Sequence, residues 1–351
     1  MWRVGLVVLG SALALSLLVI GAGCCAFSAP RYSGPRSDHF DGTRFWNQGQ
    51  VEEHGTRDFW KWYLNRQQGA WREWTEAPPG PPPPRRVRAG ALRVTFVNHA
   101  TLLIQLDGVN VLTDPTWSER ASPVSFAGPK RVRPPGIRFE DLPPVDAVLV
   151  SHNHYDHCDV PTLRRLADAF RPSIFAGLGN AAFLERKGIG RARDLDWWQS
   201  VDLPNGVRLT SVPVQHFSGR GLCDRNGTLW SGYVLEGKAG PVFFAGDTGW
   251  GPHFEQVRAR FGPVALALLP IGAFRPEWFM GPVHVSPDEA VKAHRALEAR
   301  QSVAMHFGTF PLADDGQDEP VEKLREALRR HGVSDSAFRV LEFGEGLDVA
   351  P

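Results

Sequence analysis

The chain has no excess of charge of either sign. Its 39 Lys and Arg against 38 Asp and Glu leave a formal charge of +1 over 351 residues. That removes the argument for a nucleic-acid surface, which needs a basic patch or stripe. Cysteine is also scarce. Of the four, Cys24, Cys25, Cys158 and Cys223, only two lie in the body of the chain, so no disulfide framework is implied. No internal repeat of short period is visible, which leaves repeat architectures without support. What remains is an ordinary globular composition with 42% apolar residues, long enough for one large domain or two average ones. Proline and glycine are plentiful, as a loop-rich fold requires.

The first 26 residues stand apart. Trp2-Arg3 gives a short basic start, Val4 to Ile20 carries no charge, and Gly21-Ala22-Gly23 precedes Cys24-Cys25. An apolar run of about 17 residues is at the lower edge of what spans a bilayer. The pattern reads as a signal peptide or membrane anchor, and the small residues before Cys24 also resemble a bacterial lipoprotein cleavage site. Residues 27–90 form a second region, with Trp46, Trp60, Trp62, Trp71 and Trp74 and the proline-rich stretch Ala77 to Pro84. Asp58 to Trp74 reads as an amphipathic helix with Phe59, Trp62, Tyr63 and Trp71 on one face. Such a face either packs onto the rest of the protein or sits at a membrane interface.

Residues 91–351 read as alternating strands and helices. Leu92 to Phe96, Thr101 to Leu106 and Val109 to Leu112 are strands, the last two joined at Asp107-Gly108, a hairpin signal. Later strands are expected at Ala147 to Val150, Ser173 to Ala176, Val207 to Val214, Tyr233 to Leu235, Val242 to Ala245, Val264 to Leu269 and Ser302 to His306. Helices are expected at Val160 to Phe170, Asn180 to Lys187, Ser286 to Ala299 and Val321 to His331. In the third of these, Ser286, Pro287 and Glu289 make an N-terminal capping signature. This is an α/β pattern, with its strand ends as the natural place for a site.

The densest chemistry sits at such an end. Ser151-His152-Asn153-His154-Tyr155-Asp156-His157 follows the apolar run Val145 to Val150 and packs three imidazoles and a carboxylate into six residues. A lone histidine is usually structural. Three beside an aspartate gain little without a cation and cost desolvation, and imidazole and carboxylate are ligands of first-row metals. Three further candidates, His216, Asp247 and His306, each directly follow an apolar run. Five histidines and two aspartates suffice for two ions sharing one carboxylate.

The stretch His152-x-His154-x-Asp156-His157, followed by His216, Asp247 and His306, resembles the ligand signature of the metallo-β-lactamase superfamily. Several stretches also resemble its N-acylphosphatidylethanolamine-hydrolysing phospholipase D group. They include Asn98-His99-Ala100-Thr101, Thr113-Asp114-Pro115, Trp278-Phe279-Met280, His284-Val285 and His306-Phe307-Gly308-Thr309-Phe310. The resemblance implies a four-layer αβ/βα sandwich after an N-terminal hydrophobic segment. It implies two Zn2+ per chain, one on His152, His154 and His216, the other on Asp156, His157 and His306, with Asp247 between them. It also implies hydrolysis of a phospholipid phosphodiester by water activated between the zincs. Asp114 would orient the site, and His284 would contact substrate or transfer a proton. Tyr155, inside the motif, would reach the headgroup. A membrane surface is the expected partner, a homodimer is an allowed assembly, and the N-terminal segment would place the protein at a membrane, in a bacterial periplasm or cell envelope. Two other functions remain open. One is a lactonase or other ester hydrolase on the same fold, since fold does not fix chemistry. The other is a non-catalytic, membrane-associated metal-binding protein, although no ligand is missing.

Overall fold

The computed structural model describes residues 21, 27–49 and 51–350. Apart from Gly21, the expected signal or anchor segment 1–26 lies outside them. Among the described residues, no helix is long and apolar enough to cross a membrane.

In chain order the elements are α1 (Thr56–Leu64), β1 (Leu92–Asn98), β2 (Thr101–Leu106), β3 (Val109–Thr113), β4 (Ala147–Val150), α2 (Val160–Phe170), β5 (Ser173–Gly177), α3 (Asn180–Arg186), β6 (Ala192–Leu195) and β7 (Ser200–Asp202). They continue with β8 (Arg208–Val212), β9 (Gly232–Gly237), β10 (Gly240–Phe244), α4 (His253–Phe261), β11 (Leu266–Pro270), α5 (Glu277–Met280), α6 (Pro287–Ala296), β12 (Gln301–Met305), α7 (Glu319–His331), β13 (Phe338–Arg339) and β14 (Gly346–Val349).

The strands form two mixed seven-stranded sheets, ordered β14-β1-β2-β3-β4-β5-β6 and β13-β12-β11-β10-β9-β8-β7. Each sheet is antiparallel on one side and parallel on the other. In the first, β1 to β3 meander antiparallel while β3 to β6 run parallel. In the second, β10 to β13 run parallel and β7 to β10 antiparallel. The β2–β3 hairpin turns at Asp107 and Gly108, both at positive φ (52° and 81°), which is the backbone a two-residue turn needs to match strand twist.

Side-chain alternation decides the layering. Leu102 and Ile104 of β2 and Leu149 of β4 share one core with Val234 of β9, Val242 and Phe244 of β10 and Leu268 of β11, so the sheets face each other. Their neighbours Leu103, Val148 and Val150 point the other way, onto Leu163 and Leu166 of α2 and Phe183 of α3. On the second sheet, Val291 of α6 and Leu324 and Leu328 of α7 join the shared core. Strands covered on both faces read as continuous apolar runs, and each fully buried Leu or Val contributes about 1.5–3 kcal/mol. Helix α6 starts as its sequence signals. Ser286 Oγ accepts from Glu289 N–H at 3.3 Å, and Glu289 accepts from Ser286 N–H at 2.8 Å.

Residues 28–49 lie along the body of the protein. Ala29 N–H donates to Asp224, Tyr32 N–H to Gly227 O, and Phe45 N–H to Asn226 O. Phe40 and Phe45 are buried in the main core. Helix α1 is shorter than its sequence suggests and starts earlier. It ends at Leu64, and Asn65 caps it through Lys61 O and Trp62 O. Only Trp62 of its aromatics is buried, while Phe59 and Tyr63 face outward. Beyond it the chain is extended because its polar groups find tertiary partners: Arg66 pairs with Asp314, Trp71 Nε1–H donates to Asp315 O, and Arg72 pairs with Asp318. Cys158 is a buried free thiol. Cys223 is disulfide-bonded.

Candidate metal centre

Strands of both sheets end on one rim. Strand β3 delivers Asp114, β4 delivers residues 151–157, and β8, β10 and β12 lead to His216, Asp247 and His306. Tight backbone geometry brings these ends together. Gly246 sits at φ 59°, and a Cβ there would lie 2.6 Å from Ser151 Cβ. A Cβ on Gly272 would lie 2.0 Å from His306 O. His306 itself is left-handed at φ 63°, the kind of local strain that a surrounding structure must over-determine.

Two clusters result. In the first, His152 Nε2 lies 2.8 Å and His216 Nε2 3.3 Å from His154 Nδ1, three imidazole nitrogens facing one point. In the second, Asp156 Oδ2 lies 3.2 Å from His157 Nε2 and 3.5 Å from His306 Nε2. Asp247 stands between them. Its Oδ2 is 3.0 Å from His157 Nε2 and 3.9 Å from both His152 and His216 Nε2, and its Oδ1 is 3.1 Å from His306 Nε2.

Burial and mutual charge set the protonation. Burial, then neighbouring imidazoles, holds His152 far below its ordinary value. Burial overrides Asp247 to do the same at His216, and takes His154 down to about 4. These rings are therefore neutral, the form that ligates a metal. In the second cluster burial opposes charge but loses. Asp156 and Asp247 stay well below the usual carboxylate range through the surrounding imidazoles. Against the same opposition, the carboxylates raise His157 strongly and His306 to about 9. Protons on those two rings stand where positive charge is wanted, and a cation binding there would displace them.

The side chains fit a cation by a second criterion. His157 Nε2, both ring nitrogens of His306, Asp247 Oδ1 and His284 Nδ1 are buried without a hydrogen-bond partner. Buried polar atoms are rarely left so in a folded protein, and ions held in the two clusters would satisfy most of them. The opposite edges of three of the rings are already committed. His157 Nδ1–H donates to Asp114 Oδ2 at 2.6 Å, and His216 Nδ1–H to Val283 O at 2.9 Å. His152 Nδ1 meets Ser151 Oγ at 2.9 Å, which in turn donates to Asp114 Oδ2 at 2.6 Å. These bonds fix tautomers that leave Nε2 free.

The remaining expected residues fall as follows. Asp114 is fully buried under the first and second clusters. His284 borders the centre, with Nδ1 4.0 Å from Asp247 Oδ2 and its value lowered to about 4 by burial. Tyr155 is half-buried. Its hydroxyl donates to Arg220 O at 2.7 Å and its ring carries the Arg220 guanidinium at 3.9 Å, so in this conformation it is engaged with the protein. One residue was given no role from sequence. His99 is buried, its Nε2 is 3.0 Å from Asp156 Oδ2, and its ring lies 4.0 Å from His306. In the sequence it stood at the end of a strand, as the other candidates do, and within the resembling stretch Asn98 to Thr101.

Comparison with known proteins gives a consistent picture. A family profile described as "Beta-lactamase superfamily domain" matches residues 109–307. N-acyl-phosphatidylethanolamine-hydrolyzing phospholipase D 1 of Caenorhabditis elegans is 41% identical over 72% of this chain and 75% of its own. A metal-dependent hydrolase of Methanopyrus kandleri is 30% identical over 67% of this chain and 92% of its own. Among solved structures, an isothiocyanate hydrolase from Delia radicum gut bacteria superposes with a TM-score of 0.58 at 22% identity, covering 73% of this chain and 98% of its own, a likeness of fold.

Proposed function

The chain belongs to the metallo-β-lactamase superfamily and is a metal-dependent hydrolase of that fold; we propose that it cleaves the phosphodiester of an N-acyl phosphatidylethanolamine or a related phospholipid, as a phospholipase D does. The carrying observation for a two-ion centre is the placement of Asp247 within reach of both clusters. What supports the lipid is the 41% identity to the nematode enzyme, whose name states that reaction. We take His152, His154 and His216 to hold one ion, Asp156, His157 and His306 the other, and Asp247 to bridge them, with zinc as the metal.

Two such ions supply a water nucleophile at neutral pH and charge to neutralise a phosphodiester. The chain's own groups do the rest. Asp114, through His157 and through Ser151 to His152, aims one ligand of each cluster. His284 is neutral and its Nδ1 is unpartnered beside Asp247, so it can take up a proton there or meet the substrate. Tyr155 can serve the headgroup if its hydroxyl exchanges Arg220 O for substrate.

Metal analysis joined to a product assay by mass spectrometry tests the reading. Purified protein should carry two zinc ions per chain and convert N-acyl phosphatidylethanolamine to phosphatidic acid and an N-acylethanolamine. Turnover of a homoserine lactone with no phosphatidic acid would move the assignment to the ester-hydrolase alternative.

A further inference from the structure

Residue Asn47 lies outside the region matched by the family profile, residues 109–307, yet it grips a metal-cluster residue by its backbone. Asn47 Nδ2–H donates to His216 O at 2.9 Å, and His216 N–H donates to Asn47 Oδ1 at 2.9 Å. A side-chain amide so placed repeats the reciprocal pair that one strand residue makes with its partner on the next strand. His216 has no such partner of its own, because β8 ends at Val212 and the chain from Pro213 to His216 is outside the ladder. Trp230, almost fully buried, divides its Nε1–H between Asn47 Oδ1 and Val214 O, both at 3.0 Å, so the amide oxygen is oriented from a second side. The residue before His216 is fixed as well. Gln215 N–H donates to Thr248 Oγ1 and Gln215 O accepts from Gly249 N–H, on the loop that carries Asp247.

We propose that Asn47 is a positioning residue for the cluster of His152, His154 and His216, so that the N-terminal region completes the metal centre. The imidazole of His216 is held at its Nδ1 edge by Val283 O, a bond that fixes the ring but not the main chain that carries it. Locking the main chain at His216 fixes the other end of the side chain and keeps Nε2 on the point shared with His154. Ligand placement of this kind tolerates errors of only about 0.5 Å. Among the described residues, the hydrogen bonds of Asn47 run to His216 and Trp230 and to no member of the other cluster, so the effect is selective for one ion. This inference rests on the two-ion reading above.

The test is a stepwise chelator titration of zinc-loaded full-length protein, with the visible spectrum of the cobalt-substituted form as a second readout. Asn47→Ala should lower the affinity for one of the two ions about tenfold or more, the range found when a partner of a metal ligand is lost. The second ion should stay at wild-type affinity, and the cobalt spectrum should change. Asn47→Asp keeps the acceptor for His216 N–H and Trp230 but sets an oxygen against His216 O, and it should shift the same ion. If Asn47→Ala does not fold, Asn47→Asp decides. Wild-type affinity for both ions and an unchanged spectrum in a folded variant would overturn the proposal, even with a lower melting temperature. Failure of both variants to fold would also overturn it, by making Asn47 a determinant of the fold instead of one ion. A wild type that holds fewer than two ions removes the two-ion reading itself, a different result from two ions held equally by all three proteins.

Discussion

Three donors converge on the two oxygens of Asp114. Ser151 N–H takes Oδ1 at 2.7 Å, while Ser151 Oγ–H and His157 Nδ1–H take Oδ2, each at 2.6 Å. An asparagine offers one oxygen and one NH2 group, so at least one of these donors would face another donor inside a fully buried pocket. Asp114→Asn should therefore cost about 10–100-fold in metal affinity and in hydrolysis of bis-p-nitrophenyl phosphate. Metal content and rate measured on the folded variant check this, and equal values in both proteins would remove Asp114 from the site. At this scale the sequence was most informative where residue type and strand-end position coincided. His152, His154, Asp156, His157, His216, Asp247, His284 and His306 share one pair of clusters, and each stands in a loop or at a strand end. What spacing could not reveal is which residues stand behind them. His99 reaches Asp156 across 57 residues and Asn47 reaches His216 across 169, and neither separation leaves a local pattern.

Among elements, periodicity found most of those with a one-sided or wholly apolar face, α4 with its buried Phe254 and Val257 excepted, and missed those without one. Helix α2 and strands β2 and β4 match their expected limits because burial on known faces leaves little choice of residue. Strands β6, β7, β13 and β14 are short and half-exposed and were not foreseen. β14 exists because Val349 pairs with Leu92 of β1, a contact between distant stretches that leaves no local pattern. The segment 28–49 offers a pH test at the same scale. His39 Nδ1 is 2.6 Å from Asp38 and Nε2 is 2.8 Å from Asp196, and its ring stacks on Trp197 at 4.4 Å. Burial lowers its proton affinity, but the two carboxylates outweigh it, and the net shift is upward from 6.5. A histidine raised in the folded state contributes stability that is fully present below its unfolded value and is lost as pH rises through the folded one. Asp38 is almost fully exposed, so Asp196 carries the effect. His39→Gln should cost about 1 kcal/mol or more near pH 6 and flatten the decline of melting temperature on the alkaline side of 6.5. A wild-type melting temperature that is flat there, or that rises, would contradict this.

At the scale of the whole molecule, the outer face of α1 presents a cluster of exposed aromatic side chains. Trp62 turns inward and stacks on Phe279 of α5 at 5.1 Å, while Lys61 Nζ lies 4.5 Å over Trp278. That leaves Phe59, Trp60, Tyr63 and Leu64 at 41–75% exposure, with Trp278 at 42%, on the side of α5. α5 leads within four residues to His284 at the border of the metal centre. Aromatic rings with a polar edge favour the headgroup region of a bilayer, and Lys61 and Arg57 can keep their charges in water beside them. On the phospholipid reading proposed above, the α1 face is expected to rest on a membrane surface and to set the centre close above it. Each large side chain withdrawn from water contributes about 1.5–3 kcal/mol, so Trp60→Ser with Tyr63→Ser should weaken co-sedimentation with phosphatidylethanolamine–phosphatidylglycerol vesicles by at least about tenfold. Neither residue touches the clusters, so the rate on soluble bis-p-nitrophenyl phosphate should not change, while turnover of vesicle-embedded phospholipid should fall. Unchanged vesicle binding would assign these aromatics to some other contact, and an equal loss on both substrates would show that α1 acts on the centre and not on the lipid.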